Sequence, residues 1–448
     1  MDQQPKGKPG SPNRAVRVAV IGAGPSGLTT VKNLLVAGVP DIVCYEATDA
    51  IGGNWVFREG PSHSSVYQTT HIISSKRLSS FEDFPMPDGY PDFPSHWQIL
   101  DYFKGYAEHF GVMPHVRLCT RLGRARRDAD GRWRLTLSHG ADTKEDVVDA
   151  LFICTGHHSD PVMPPLAGRF DGEVLHAHSY KRAEPFRGKR VLVIGGGNSA
   201  CDIAVETARV SAFTAMSLRR GYHFLPKVMF GMPADVAFWR LRHLPKPLRQ
   251  KLAGWLVRLA VGRPAKYGLR EREGRLLEMH PTLNSEFLDA LRHGKIHPRA
   301  EIARIDGRMV RFADGRADEF DVIIMATGYR ISFPFLREPF SSWDSFQPPA
   351  LYLRMMPADI DNLFFIGLFQ PLGCIWNLAD HQARIAALQI TGKLARPADL
   401  GARIEQEIRH PHWRYQRSVR HAIEVDFYEF RKALLAEVAK ARLERPSA

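Results

Sequence analysis

Cysteine is scarce in this 448-residue chain, and none of its five cysteines has a close partner in the sequence. They are scattered, at Cys44, Cys119, Cys154, Cys201 and Cys374. The absence of any CxxC pair excludes an electron relay through neighbouring thiols and the usual zinc-binding spacings. Because an odd, unpaired set is typical of a reducing compartment, we expect a cytoplasmic protein, and we expect no metal site.

Long apolar runs are also missing from the sequence. No stretch of 18 or more apolar residues occurs, so no transmembrane helix is predicted. Residues 1–14 are polar, basic and rich in proline and glycine, without the apolar core of a secretory signal. We therefore expect residues 1–14 to form a disordered tail.

Acidic residues are missing from one long stretch of a chain whose formal net charge is +13. Between Asp235 and Glu271 there is no acid, and the cationic residues are Arg240, Arg242, Lys246, Arg249, Lys251, Arg258, Arg263, Lys266 and Arg270. Apolar residues recur there at helical spacing, at Leu248, Leu252, Trp255, Leu256 and Leu259. The preferred interpretation is a basic helical insertion, about 223–277, packed against its own domain. The alternative is peripheral contact of 240–270 with an anionic membrane surface. Nucleic-acid binding is not expected, because no binding motif accompanies the charge.

What the sequence does contain is two glycine-rich loops, each entered by a β-branched strand and followed by a helix-forming run. The first loop, after Arg17–Ile21, is Gly22-Ala23-Gly24-Pro25-Ser26-Gly27, and the second loop, after Arg190–Ile194, is Gly195-Gly196-Gly197-Asn198-Ser199-Ala200. In such loops the first glycine makes a tight turn, the second lets backbone approach a pyrophosphate, and the third position packs helix on strand. We expect cofactor contacts from Gly22, Gly24, Pro25, Ser26 and Gly27, and from Gly195, Gly197, Asn198, Ser199 and Ala200. Two loops predict an α/β enzyme that holds two dinucleotides.

The residues that follow each loop distinguish the two ligands. After the first loop, the next strand ends at Glu46, the spacing at which an acid accepts hydrogen bonds from ribose hydroxyls. After the second loop, the equivalent strand, about 213–218, ends in Arg219 and Arg220 with no acid. Because two cations suit a 2′-phosphate, the second site is predicted to prefer NADP to NAD.

The order of motifs predicts an interrupted domain. Two similar segments occur in the chain, Leu151-Phe152-Ile153-Cys154-Thr155-Gly156 and Val322-Ile323-Ile324-Met325-Ala326-Thr327-Gly328. Each is predicted to be a buried strand that ends in Thr-Gly, where the chain can turn and cross between domains. We expect residues 15–161 and 322–448 to form the domain that binds the first dinucleotide. Residues 162–321 are expected to form an inserted NADP-binding domain. Both domains are expected to be Rossmann-like, because each contains one strand–loop–helix unit.

A third motif makes the chain resemble the flavin-containing monooxygenases. Residues 170–180 fit the fingerprint FxGxxxHxxxY of that family, with Phe170, Gly172, His176 and Tyr180 at the fixed positions. Further similar motifs are Gly52-Gly53-Asn54-Trp55, Asp83-Phe84-Pro85, Ala326-Thr327-Gly328-Tyr329, Gln370-Pro371-Leu372-Gly373 and Gln382-Ala383-Arg384. Together these motifs extend over most of the chain.

The resemblance implies an enzyme that uses FAD, NADPH and molecular oxygen. In the family, NADPH reduces FAD, and a C4a-hydroperoxyflavin then transfers one oxygen atom to a soft nitrogen or sulfur nucleophile of a small organic substrate. By the same resemblance, the first dinucleotide is FAD, so residues 15–161 and 322–448 are expected to form an FAD-binding domain. Gly53, Trp55, Ser74 and Gln370 are expected near the flavin. The flavin carries the difficult chemistry, so no catalytic side chain is assigned. His176 is either a structural linker histidine or a group near the nicotinamide.

One position departs from the family pattern. Where many members place an asparagine near flavin and nicotinamide, this chain has Ile73, which cannot form a hydrogen bond. Either His71, Ser74 or Ser75 takes over this hydrogen bond, or the hydroperoxide is held less well. The sequence therefore predicts flavin and NADPH binding more strongly than it predicts amine or sulfide oxygenation.

Three alternative functions therefore stay open. The first is a Baeyer–Villiger or N-hydroxylating monooxygenase, although Tyr180 stands where the Baeyer–Villiger fingerprint has tryptophan. The second is an uncoupled NADPH oxidase that releases peroxide, which Ile73 favours. The third is a non-catalytic membrane-surface protein, which only the basic insertion supports.

Overall fold

Two parallel β-sheets carry the two glycine-rich loops. The computed structural model describes residues 15–270, 276, 281–343, 345–410 and 422–443, so the tail predicted for residues 1–14 lies outside the described residues. In the described part of the chain each parallel sheet has five strands. The predicted α/β class with two Rossmann-like units is confirmed.

The first parallel sheet contains the strand that enters the first loop. Its strands, in spatial order, are Leu363–Phe365, Ala150–Ile153, Arg17–Ile21, Asp41–Tyr45 and Val116–Arg117. Alternate residues pack on opposite faces, since Val18 and Val20 belong to a helical cluster while Ala19 and Ile21 face an antiparallel sheet. Burial on both faces explains why these strands are continuously apolar.

The second parallel sheet contains the strand that enters the second loop. Its strands, in spatial order, are Glu173–His176, Val322–Met325, Arg190–Ile194, Phe213–Ser217 and His297–Arg299. Here too the faces alternate, with Val191 and Val193 in one core cluster and Leu192 in another.

The remaining strands form smaller sheets. Thr120–Arg127, Trp133–His139 and Asp142–Val148 form an antiparallel sheet, and Ala317–Glu319, Met309–Phe312, Ile302–Gly307 and Gly168–Phe170 form another group. The short pairings join Asp160–Pro161, Tyr329–Ser332 and Ser342–Trp343; Phe224–Leu225 and Thr282–Leu283; Val228–Met229 and Met232–Pro233; Leu351–Tyr352 and Met356–Pro357; and Gln370–Pro371 and Glu424–Val425.

The α-helices of the described residues flank these sheets. They are α1 Pro25–Ala37, α2 Lys76–Ser79, α3 His96–His109, α4 Asn198–Thr207, α5 Ala234–Arg240, α6 Lys246–Val261, α7 Phe287–Arg292, α8 Ile375–Ile390, α9 Leu400–Arg409 and α10 Phe427–Leu443. Short 3₁₀ helices cover Gly53–Trp55, Met113–His115, Ala177–Ser179, Glu184–Phe186 and Pro264–Tyr267. Local sequence explains two of the helix ends: α3 starts at a capping box of Ser95 and Gln98, and α1 ends at Gly38 in the left-handed conformation.

The chain passes between the two parallel sheets at two adjacent linkers. Asp160–Pro161, on the way out, pairs antiparallel with Tyr329–Arg330, on the way back. Val322–Met325, which the sequence placed at the start of the returning FAD segment, pairs with Arg190–Ile194 inside the second sheet. The return crossing therefore follows Met325 and does not precede Val322.

The predicted amphipathic helix exists as α6, but its buried face coincides only in part with the face that the apolar spacing indicated. The buried side chains include Arg249, Ala253, Val257 and Val261, and the last three belong to the core of the second sheet. Of the five apolar residues that the spacing places on one face, Leu252 and Leu256 are half-buried, and Leu256 packs against that core. The other three, Leu248, Trp255 and Leu259, are exposed.

Candidate functional site

The first loop has the backbone geometry that a dinucleotide requires. A Cβ on Gly27 would lie 1.8 Å from the carbonyl oxygen of Gly22, so only glycine allows α1 to pack this closely on its strand. Gly24 precedes Pro25 at the helix start with φ −72° and ψ −179°. The first amides of α1 have no side-chain cap, and the first turn carries no acidic residue that would offset the positive partial charge of the helix N-terminus. This end of the helix therefore suits an anionic ligand.

Gly53 lies directly against this loop. A Cβ on Gly53 would stand 2.9 Å from the Cα of Gly24, and the Gly52 amide donates to the Ala23 carbonyl over 2.9 Å. Two facing glycines thus form a cradle that side chains would fill, and such a cradle fits a pyrophosphate. Trp55, two residues further on, is half-buried and meets Trp376 edge to face at 5.6 Å between ring centres.

Glu46 is held in a fixed orientation at the end of its strand. Its Oε2 accepts from the Ala23 amide at 2.8 Å, and its Oε1 accepts from the Thr48 amide and hydroxyl at 2.9 and 2.8 Å. These bonds tie the buried carboxylate to the loop itself. A carboxylate oxygen can accept a further bond, so the position suits ribose hydroxyls.

The residues expected near the flavin ring differ in burial and in their hydrogen-bond partners. The hydroxyls of Ser74 and Ser79 share a hydrogen bond of 2.8 Å, so Ser74 has a protein partner, while Ile73 is half-buried. The neighbouring Ser75 amide donates to Asp235 Oδ2 at 2.6 Å. Gln370 is half-buried, with Oε1 at 3.4 Å from Nε2 of His157.

The second loop repeats the geometry of the first. Gly197 precedes α4 with φ −82° and ψ 179°, close to the values at Gly24. A Cβ on Gly195 would lie 2.4 Å from the carbonyl oxygen of Ala326, so this turn also requires glycine. Asn198 accepts from the Leu283 amide at 2.8 Å, and Ser199 is exposed while Ala200 is fully buried.

Arg219 and Arg220 lie just beyond the strand Phe213–Ser217, at the loop end of the second sheet. Arg219 is exposed, and its carbonyl accepts from Nη1 of Arg270 at 3.2 Å. The Arg220 guanidinium lies 5.5 Å from the centre of the Tyr222 ring, and that ring covers Gly196. The Arg220 side chain is therefore close to the second loop, and Arg219 precedes it in the chain with an exposed side chain.

The fingerprint residues have structural contacts. Nδ1 of His176 accepts from the His178 amide at 3.0 Å, and burial lowers the pKa of His176 to about 4, so this imidazole is neutral. The buried Tyr180 hydroxyl donates to Glu206 Oε2 at 2.7 Å. The contact at Nδ1 leaves both interpretations of His176 as predictions, because Nε2 of the same ring is buried without a hydrogen-bond partner among the described residues.

Sequence reasoning missed the polar contacts of α4 with the first domain. Tyr67 donates to Asp202 Oδ2 at 2.6 Å, and Thr69 donates to Glu206. The only signal in the sequence is that Asp202 and Glu206 are spaced i, i+4 on the helix that follows the second loop.

Two features are absent from the described residues. Among them, no group of three or more His, Cys, Asp or Glu side chains is arranged to hold a metal ion. Within the same residues, no helix has both the length and the apolar character needed to cross a bilayer.

Known proteins resemble this chain over most of its length. Residues 15–444 match the family described as Flavin-binding monooxygenase-like. Flavin-containing monooxygenase 5 of Homo sapiens is 34% identical over 434 residues, covering 92% of this chain and 81% of that protein. Dimethylaniline monooxygenase [N-oxide-forming] 2 of Pan troglodytes is 34% identical over 404 residues, covering 86% and 75%. The solved structure of S-allyl-L-cysteine S-oxygenase from Allium sativum is similar in fold, with a TM-score of 0.68, 22% identity and coverage of 96% and 94%.

These relationships confirm the enzyme class that the motifs predicted, and they do not favour the alternatives. The chain belongs to the flavin-binding monooxygenase-like family and is an FAD- and NADPH-dependent oxidoreductase of the monooxygenase type.

Proposed function

We propose that the chain oxygenates a soft nitrogen or sulfur atom of a small organic substrate, with FAD at the first loop and NADPH at the second. The observation that carries this proposal is the pairing of two loops with matching helix starts, Gly24 at α1 and Gly197 at α4, on two parallel sheets. The names of two similar proteins, an N-oxide-forming monooxygenase and an S-oxygenase, support nitrogen and sulfur as the acceptor atoms.

In the proposed flavin site, backbone and one carboxylate do most of the binding. Gly22, Gly24, Pro25, Ser26 and Gly27 would present the helix N-terminus to the pyrophosphate, with Gly53 opposite. Glu46 would accept from the ribose, as its fixed orientation supports. Trp55, Ser74 and Gln370 are assigned to the surroundings of the ring system.

In the proposed NADPH site, Gly195, Gly197, Asn198, Ser199 and Ala200 form the pyrophosphate loop. Arg219 and Arg220 would bind the 2′-phosphate, because two cations lie at the strand end where an NAD-specific site has an acid. Charge-assisted bonds from a guanidinium to a phosphate are about twice as strong as neutral ones.

When bound, reduced FAD supplies the activation of dioxygen, and the protein supplies orientation and exclusion of water. The chain's own contribution is to keep the two loops at a fixed spacing and to enclose the ring system with apolar residues such as Trp55 and Ile73. We assign the FAD-binding domain to residues 15–161 and to the segment that follows Met325, and the NADP-binding domain to residues 162–325, because the strand Val322–Met325 pairs within the second sheet. The cytoplasmic location stays a prediction.

A substrate panel tests the acceptor class. NADPH consumption is measured with an alkyl aryl sulfide, a tertiary amine and a cyclic ketone, and sulfoxide, N-oxide, lactone and peroxide are quantified in parallel. Sulfoxide or N-oxide in proportion to NADPH supports the proposal. Lactone as the main product indicates the Baeyer–Villiger alternative, and peroxide alone indicates the oxidase.

We also infer that α6 contacts an anionic membrane surface. Leu248, Trp255 and Leu259 are 52%, 58% and 61% exposed, and the exposed cations Lys251 and Arg258 lie among them. An apolar stripe with basic flanks matches the surface of an anionic bilayer, because the apolar side chains can contact the acyl chains while the cations contact the negatively charged headgroups. The insertion's opposite face is anchored to the protein, in part by Arg249, which donates to Asp426 at 3.0 Å.

Co-sedimentation with vesicles tests this contact. We expect binding to phosphatidylcholine vesicles that contain phosphatidylglycerol, weaker binding to phosphatidylcholine alone, and loss of binding at high salt. Leu259→Ser should weaken binding, whereas Val36→Ser, which changes a 74% exposed residue on α1, should not. Equal sedimentation of the wild type with and without anionic vesicles would refute the contact.

A further inference from the structure

Segment 62–70, which we call the strap, contacts the predicted flavin motif at Gly53 and Asn54. Nε2 of His63 lies 2.9 Å from the Gly53 carbonyl, and the Ser64 hydroxyl donates to the Asn54 carbonyl at 2.6 Å. The Ser65 amide donates to Asn54 Oδ1 at 2.7 Å. Three consecutive strap residues therefore fix the backbone that faces the first loop.

His178, within the fingerprint, and Lys181, directly after it, contact the strap from the other side. Nε2 of His178 lies 2.7 Å from the Ser62 carbonyl. The buried ammonium group of Lys181 donates to the carbonyls of Ser64 and Val66 at 2.7 and 3.2 Å, and burial lowers its pKa to about 8. A buried cation is costly unless its donors are satisfied, so these carbonyls are held close to Lys181.

The far end of the strap contacts α4, the helix that starts at the second loop. The Tyr67 hydroxyl donates to Asp202 Oδ2 at 2.6 Å, and Thr69 donates to Glu206, which also accepts from Tyr180. The rings of Tyr67 and Tyr180 pack edge to face at 5.7 Å. Asp202 and Glu206 lie one turn apart, so the strap contacts one face of α4 over a full helical turn.

These contacts form a continuous polar path from Gly53, beside the first loop, to α4, which carries the second. We propose that Tyr67, Thr69, Asp202 and Glu206 are positioning residues that set the spacing of the two dinucleotide loops and so the rate of hydride transfer from NADPH to FAD. The proposal rests on the proposed function. Hydride transfer is sensitive to distance, and a misplacement of about 1 Å can cost on the order of a hundredfold in rate.

The test separates the rate of reduction from coenzyme affinity. Wild type and Tyr67→Phe are mixed with NADPH under anaerobic conditions, and the loss of flavin absorbance is followed over a range of NADPH concentrations. Tyr67→Phe keeps the ring and removes the bond to Asp202. We expect its limiting rate of reduction to fall by about tenfold or more. FAD content should be unchanged, and the apparent dissociation constant for NADPH should change by less than about threefold.

Tyr45→Phe is the matched control. Tyr45 donates to Asp146 Oδ2 at 2.7 Å, a bond of the same type that lies within the first domain. This variant should reduce at the wild-type rate. Thr69→Val, which removes the other contact to α4 from an exposed position, serves as a second variant if Tyr67→Phe fails to fold, and it should also lower the limiting rate.

Asp202→Asn completes a double-mutant cycle with Tyr67→Phe. If both changes act on one contact, the double variant should reduce hardly more slowly than the slower single variant. A wild-type limiting rate in Tyr67→Phe, an effect on NADPH affinity alone, or an equal loss in Tyr45→Phe would overturn the inference while leaving the proposed function intact. A wild-type flavin that NADPH does not reduce would instead overturn the proposed function.

Discussion

Replacing Gly24 by alanine separates flavin binding from folding. The backbone at Gly24, with φ −72° and ψ −179°, is extended and accepts any residue, and a Cβ there would lie 3.5 Å from the Cα of Gly53, an ordinary contact. The protein can therefore accommodate this methyl group. Because alanine restricts the unfolded chain, Gly24→Ala apoprotein should be as stable as wild type or more stable by about 0.4–1 kcal/mol.

The same methyl group stands where the pyrophosphate has to approach the loop. Overpacking typically costs about 1–3 kcal/mol, which corresponds to a loss of FAD affinity of roughly five- to 150-fold. The assay is a fluorescence titration of apoprotein with FAD, combined with the flavin-to-protein absorbance ratio of the purified variant. Thermal unfolding of the apoproteins measures stability separately.

Two other glycines provide controls. A Cβ on Gly105, within α3, would make an ordinary contact of 3.7 Å with Phe84, so Gly105→Ala should bind FAD as wild type does. Gly27→Ala should fail to fold, because its methyl group would overlap the Gly22 carbonyl. Wild-type FAD affinity in Gly24→Ala would refute the assignment of the first loop to FAD.

Three further changes test other parts of the account. Arg219→Ala or Arg220→Ala should weaken NADPH binding by about 1.5–3 kcal/mol, roughly ten- to a hundredfold, and NADH binding far less; equal losses for both coenzymes in titrations would contradict the 2′-phosphate assignment. Ile73→Asn should raise the ratio of oxygenated product to peroxide, a gain limited by the cost of about 1–3 kcal/mol for a buried amide without a partner; an unchanged ratio, insensitive also to Ser74→Ala, would argue against a hydrogen-bonding role here. Burial raises the pKa of Glu206 from 4.5 to about 7, so the folded protein holds a proton that the unfolded chain releases. Stability should therefore fall as pH rises from about 5 to 7, and thermal unfolding should show a smaller fall in Glu206→Gln; identical pH profiles would contradict the shift.

The turn chemistry of both loops could be read from the sequence because it is local. Gly22, Gly27 and Gly195 are required by contacts with backbone atoms of the adjoining strands and turns, and the strand–loop–helix pattern predicts those contacts. The fold class follows from the same pattern, since two such units require two parallel sheets. The position of Glu46 beside the first loop was also predictable, because an acid at this distance along the chain from the loop is characteristic of the strand–loop–helix unit.

Long-range contacts could not be read in the same way. Tyr67 and Asp202 are 135 residues apart, and nothing in either local sequence indicates that they meet. The buried face of α6 was predicted only in part, for a related reason. Periodicity indicates a helix, but Trp255 and Leu259 are as apolar as Val257, and only the shape of the neighbouring core decides which of them is buried.

A single-turnover experiment with isotopic oxygen tests the central claim most directly. The purified yellow protein is reduced anaerobically with one equivalent of NADPH and then mixed with ¹⁸O₂ and an alkyl aryl sulfide. The account predicts bleaching of the flavin by NADPH, followed by sulfoxide that carries one ¹⁸O atom, in near-stoichiometric amount relative to the NADPH added. Failure of NADPH to bleach the flavin, or reoxidation that yields only labelled peroxide, would contradict it.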